Sequence, residues 1–251
     1  MCELYIYIFL GLTIGYVGGY AGIGGGPFLV SFLVLICGFS QLESQGNVLT
    51  MMLGPMSLLG VVSLYDYVKQ QWLNIAIGVI SYCTFSYIGA VVAFLIGEQD
   101  IKLLFALILI LIAFIQIVPI LRGKTYNSIK YRDSISWLWI LILGALTGTV
   151  GGLFGIGAGV LMVPVLIGIF KLKKEFARAL SLAILVPPVS YGAYIKYNLE
   201  ITIDWNLVLI LFFSYFVANY FGAKAGTEAS NKHFKITYSL VLVGIAIVYL
   251  F

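Results

Sequence analysis

The sequence predicts an all-α polytopic membrane protein made of two inverted repeats, each a glycine-tipped helical hairpin followed by three transmembrane helices. Three observations carry that expectation. Hydrophobic residues make up 62% of the 251 positions and charged residues 10%, with a mean hydropathy of +1.08, whereas soluble domains run at roughly 45–50% apolar and 25% charged. Apolar runs recur at about the twenty-residue length that crosses a hydrocarbon core. The order of those runs, glycine clusters included, recurs 133 residues later.

Taken in order, Leu4 to Gly22 is one apolar arm and Phe28 to Cys37 a second. Ten residues at 1.5 Å rise reach only about 15 Å, so the two arms form a hairpin rather than two crossings. Longer segments follow near Ser44 to Tyr67, Trp72 to Ile96 and Leu103 to Leu121. After a polar linker the pattern returns: arms at Ile135 to Phe154 and Val160 to Phe170, then segments near Phe176 to Tyr197, Trp205 to Ala225 and Ile236 to Phe251. The expected organisation is a single transmembrane domain over 1–251, with repeat 1 at 1–121, a linker at 122–134 and repeat 2 at 135–251. The start, Met1-Cys2-Glu3-Leu4, has no basic n-region, so a cleaved signal peptide is not expected. Cys2, Cys37 and Cys83 lack metal spacing; inert thiols or a Cys2–Cys37 bridge are the alternatives.

Duplication explains identities that run from end to end. At an offset of 133, Gly11, Gly15, Gly18, Gly19, Gly22, Gly24 and Gly26 meet Gly144, Gly148, Gly151, Gly152, Gly155, Gly157 and Gly159. Trp72, Ser81, Tyr82 and Gly89 meet Trp205, Ser214, Tyr215 and Gly222, and at 132 Pro55 and Tyr65 meet Pro187 and Tyr197.

Lys and Arg set the orientation. The linker (Arg122, Lys124, Lys130, Arg132) and the stretch after the second hairpin (Lys171, Lys173, Lys174, Arg178) are both basic, and basic loops stay cytoplasmic. The expected topology therefore places the linker in the cytoplasm and both termini outside, in a multi-pass protein of the cell membrane. This leaves only Lys102 and Lys196 outside among the 14 basic residues. The same membrane logic accounts for the net charge of +4, so no nucleic-acid partner is expected.

Clustered glycines at Gly22, Gly24, Gly25 and Gly26, and at Gly155, Gly157 and Gly159, each cost about 1 kcal/mol in a helix and mark a break. In lipid a broken helix is tolerated where it is buried in protein or lines a watery cavity. The sites of inverted-repeat transporters lie near the midplane, where broken helices meet. Each short arm begins at the tip, at Pro27 or Val160, so its N-terminal dipole and free N–H groups favour an anion, and Pro27 suits a first helical position. The competing reading makes such glycines close-packing surfaces, which is preferred for Gly11, Gly15, Gly144 and Gly148. Gln45, Asn47 and Ser181 supply neutral donors, while Ser57 and Ser190 are further candidates; interhelical hydrogen bonding is the alternative for each. Pro55 and Pro187 are expected to kink their helices, serving gating or shape, with Arg178 and Lys224 at a cytoplasmic entrance. No catalytic residues, metal site or cofactor are expected, because no His, Cys or acid cluster offers a metal site or nucleophile.

These residues resemble the TauE/SafE family of sulfite and organosulfonate exporters, also called TSUP. The resemblance spans nearly the whole chain. It rests on Gly155-Ile156-Gly157-Ala158-Gly159 with Pro164 five residues on, on Arg178-Ala179 opening the next helix, and on the matching first-half glycines. The sequence departs from the pattern at Ser31, where a proline is usual, and at Gln45-Gly46-Asn47, where small residues are usual. The resemblance implies a secondary transporter, not an enzyme, moving a small and often sulfur-containing anion by alternating access. The competing function is a non-transporting membrane scaffold or assembly subunit. Expected partners are the small anion and the lipid bilayer, with a homodimer as an option.

Overall fold

The computed structural model describes residues 4–21, 25–62, 64–121, 132–157, 159–226 and 231–250, and they are helical almost throughout. The first arm is α1 (Leu4–Ala21) and the second α2 (Gly26–Leu35); α3 (Gln41–Met51), α4 (Leu58–Val62) and α5 (Tyr65–Lys69) follow, then α6 (Trp72–Ile96) and α7 (Glu98–Leu121). After the linker come α8 (Trp137–Phe154), α9 (Gly159–Gly168), α10 (Lys174–Ile184), α11 (Tyr191–Glu200), α12 (Trp205–Gly226) and α13 (Asn231–Leu250). Helices α8, α9 and α10 begin and end 133 residues after α1, α2 and α3. Among the described residues, α6, α8 and Trp205–Gly222 are long and apolar enough to cross a membrane, with Leu4–Tyr20 and Gly26–Leu35 as shorter apolar helices. Trp72, Trp137 and Trp205 open α6, α8 and α12 with at least half their surface exposed, the amphipathic placement expected of interfacial anchors.

One expectation is corrected. The segments around Pro55 and Pro187 are interrupted outright rather than kinked: α3 stops at Met51 and α4 starts at Leu58, while α10 stops at Ile184 and α11 starts at Tyr191. Proline lacks an N–H and disfavours helical geometry at the residue before it; with Gly54 beside Pro55, and Pro187 and Pro188 in tandem, the ladder does not resume for several residues. The freed backbone groups are recaptured across the interface. Ser57 Oγ donates to the Leu182 carbonyl at 2.9 Å and Ser190 Oγ to the Leu49 carbonyl at 3.0 Å. Ser57 and Ser190, and Leu49 and Leu182, are each 133 apart, so the two bonds reciprocate.

Each half leans on the other. Helix α1 packs along α12 and α8 along α6, while α7 lies against α13. The glycines anticipated as packing surfaces make these contacts close: a Cβ on Gly15 would meet Tyr215 backbone at 2.6 Å, and one on Gly148 would meet Tyr82 backbone at 2.6 Å. The same holds farther along, where a Cβ on Gly89 would fall 2.1 Å from the Thr149 carbonyl and one on Gly222 2.0 Å from that of Tyr16.

Contacts at the helix ends sort the loops. Ser40 and Glu43 form a capping box at the start of α3, and the Gln41 N–H donates to Glu98 at 3.0 Å, so α3 begins beside the start of α7. At the other end of the bundle, Arg132 N–H donates to the Lys171 carbonyl and Lys173 N–H to the Arg132 carbonyl, and Asn74 at the start of α6 donates to Ile135. Lys173 Nζ lies 2.8 Å from the Asp133 carboxylate, and this bond raises the ammonium pKa. The inert-thiol reading holds for Cys83, which is free, but not for Cys37, which is disulfide-bonded; Cys2, the alternative's partner, lies outside the described residues.

Lys171 has a φ of +54°, and its counterpart 133 residues earlier is Gly38, at +72°. A side chain in the left-handed region costs roughly 1–2 kcal/mol. Lys171→Gly is therefore expected to raise the thermal midpoint in detergent by a few degrees, at about 2–4 °C per kcal/mol for this size. An unchanged or lower midpoint would refute that reading.

Candidate anion site between the glycine breaks

The two breaks touch. A Cβ on Gly26 would lie 2.5 Å from the Ile156 carbonyl oxygen and 2.9 Å from its Cα, so only glycine allows the start of α2 to sit on the second break. Gly155 closes α8 in the left-handed conformation, φ +67°, its N–H donating to Gly151, and Gly157 follows at φ +72°. Gly159 is the first residue of α9. Gly25 caps α2 with Pro27 in its first turn; a Cβ on Gly25 would strike Ile14 at 2.4 Å and the Tyr215 ring at 3.0 Å. The Tyr215 hydroxyl is hydrogen-bonded to the Gly25 backbone. Gly22 and Gly24 lie outside the described residues.

Helix α3 closes over the second break. The would-be Cβ of Gly155 falls 2.9 Å from Gln45 Cα, and that of Gly157 falls 3.3 Å from the Met52 thioether. Gln45 is fully buried, with Oε1 accepting from the Tyr197 hydroxyl at 2.7 Å and Nε2 left without a partner. The fully buried Tyr197 hydroxyl must donate its proton somewhere; giving it to Gln45 fixes which way the amide points, leaving the N–H₂ end as the open donor. Ser181 is buried with its hydroxyl unpartnered, and so is Arg178 Nε. An unmade buried bond costs about 1–3 kcal/mol, which a bound acceptor would remove.

Other candidates are committed to the protein. Asn47 Nδ2 donates to the Glu43 carbonyl and Oδ1 accepts from the Asp204 N–H, both at 2.9 Å, so Asn47 fastens α3 to the start of α12. Ser57 and Ser190 hold the reciprocal bonds, and Pro55 and Pro187 sit at the interruptions those bonds bridge. Lys224 is exposed in the last turn of α12. Tyr197, Tyr215, Ile156 and Met52 were not picked out as site residues from sequence; the tyrosines' recurrence at fixed offsets was the available signal. Among the described residues, no group of three or more His, Cys, Asp or Glu is placed to hold a metal.

An all-helical bundle with several apolar spans fits the class of membrane transporters. The chain belongs to the TauE/SafE family: a family model described as "Sulfite exporter TauE/SafE" matches residues 7–249. It is 28% identical to the probable membrane transporter protein MJ0441 of Methanocaldococcus jannaschii, across 94% of this chain and 91% of that one. It is 26% identical to the probable membrane transporter protein YunE of Bacillus subtilis, across 97% of each. No solved structure matches the chain significantly.

Proposed function

We propose that this chain moves a small oxyanion, sulfite or an organosulfonate, across the cell membrane by alternating access, holding it beside the two glycine breaks. The observation that carries the reading is the seating of Gly26 on Ile156 with Gln45 Nε2, Ser181 Oγ and Arg178 Nε buried and unpartnered in the helices that follow the hairpins. Gln45 and Ser181 supply hydrogen bonds, the starts of α2 and α9 supply partial positive charge, and Arg178 adds a guanidinium on the basic side.

The reading includes two inverted repeats, 1–121 and 135–251. The start of α3 lies by Glu98, at one end of α7, and the start of α10 lies by the linker that follows the other end of α7. At 24 residues, α7 reaches about 36 Å, so these starts favour opposite faces. A bonded Cys37 suits the oxidising side, and the basic 171–178 stretch suits the cytoplasm. Both termini then fall outside.

Counterflow of labelled sulfite in proteoliposomes tests the proposal. Unlabelled sulfite and small sulfonates are expected to compete at least tenfold better than chloride, because separate oxygens match donors from both halves and a halide has none. Equal competition by chloride would remove the oxyanion reading, and absence of any flux would favour a scaffold subunit.

A further inference from the structure

Helix α3 carries more unpartnered polarity than an anion site at the breaks requires. Gln41, Ser44 and Gln45 are each wholly buried. Gln41 Nε2 and Oε1, Ser44 Oγ and Gln45 Nε2 have no hydrogen-bond partner. Spacings of three and four place all three residues within about a third of the helix circumference. The strip they form runs from the first residue of α3, next to Glu98, to the residue seated on Gly155.

A second helix carries orphaned groups at one equivalent position and one turn beyond it. The position 133 after Gln45 is Arg178, and one turn beyond it on the same face stands Ser181, two residues with a buried unpartnered atom each. The orphaned groups of α3 share one face, and the position equivalent to Gln45 is orphaned again in α10. The opposite face of α3 is satisfied: Thr50 Oγ1 donates to Gly46 and the Asn47 amide is bonded at both ends. Orphaned polar groups confined to one face are what a surface wetted in another conformation would leave.

We propose that the Gln41–Ser44–Gln45 face of α3 is a half-path, shut in this structure, through which a hydrated anion passes between the glycine breaks and the membrane face where α3 begins. The proposal rests on the anion-transport reading for the identity of the solute, but not for the existence of the path. Neutral donors along it hold an anion weakly, and Glu43 at its mouth opposes re-entry while Glu98 is paired with Lys102, so this half favours release. The equivalent face of α10, with Arg178 in place of Gln45, forms the cationic half on the other side.

Single cysteines test this in a Cys83→Ala background that retains Cys37. Gln41→Cys and the near-isosteric Ser44→Cys are exposed, in cells and in sealed proteoliposomes, to a membrane-impermeant anionic methanethiosulfonate. Thr50→Cys, equally buried on the satisfied face, is the control. Labelling at 41 and 44 is expected to run at least tenfold faster than at 50, from one side only, and to slow with saturating methanesulfonate, a small sulfonate that is inert toward the reagent. Labelling no faster than at 50 overturns the path. Fast labelling that methanesulfonate leaves unchanged keeps a water route and overturns its use by the anion, whereas failed sulfite counterflow by the unmutated protein overturns the transport reading independently.

Discussion

Replacing Gly26 by leucine is expected to lower sulfite flux by about two orders of magnitude while leaving a folded, monodisperse protein. The atoms that a side chain would strike at 2.5–2.9 Å are the Ile156 carbonyl and Cα, backbone that cannot rotate away as a side-chain tip would. The two breaks must separate. Overpacking of this sort costs about 1–3 kcal/mol, which a protein with about 5–15 kcal/mol of stability survives. The anion loses more, since the donors of one half no longer reach a solute held by the other. Loss of a dipole end and one or two hydrogen bonds, roughly 3 kcal/mol together, corresponds to about a hundredfold. Gly244→Ala is the control: it lies in α13 with open space where its Cβ would go and should leave flux unchanged. Full transport by Gly26→Leu would show the close approach of the breaks to be dispensable.

Removing the two serine hydroxyls that bridge the interrupted helices is expected to have the largest effect on stability, and an unequal one. In α3 the Met52 N–H turns to Val48 and Thr50 and the Leu53 N–H to Thr50, so the last turn passes over the Leu49 carbonyl, which Ser190 takes up. Leu182, by contrast, also accepts from Leu185 N–H. Ser190→Ala therefore strands a buried acceptor and should cost about 1–3 kcal/mol, whereas Ser57→Ala loses one ordinary bond at about 0.5–1.5 kcal/mol. At about 2–4 °C per kcal/mol, thermal unfolding in detergent separates the two. Equal midpoints would mean that Leu49 finds another partner.

Much of this architecture is legible in the sequence because helix limits here follow strong local signals. Tryptophan opens α6 and α12 where hydropathy alone would start them, and the glycine clusters stop α1 and α8 within a residue of the expected place. Proline is ambiguous to a sequence reader, since one ring bends a helix or ends it according to what neighbours offer the freed carbonyls. Here the offer comes from Ser57 and Ser190, each more than a hundred residues from its acceptor. The fate of Asn47 is equally non-local, as its partner at Asp204 is 157 positions away. Tyr65 and Tyr197 match by offset, yet Tyr65 is 60% exposed and Tyr197 wholly buried against Gln45. A recurring sequence pattern does not report the divergence of two environments.

The cross-packing of the halves bears on how the protein is made. Helix α1 emerges first and its main partner, α12, nearly two hundred residues later. At about 5–20 residues per second of synthesis, the face bearing Gly11 and Gly15 waits roughly 10–40 seconds for the surface it fits. Neither half buries its own glycine face, and a chain cut within 122–131 should assemble when both pieces are made together and in no other circumstance.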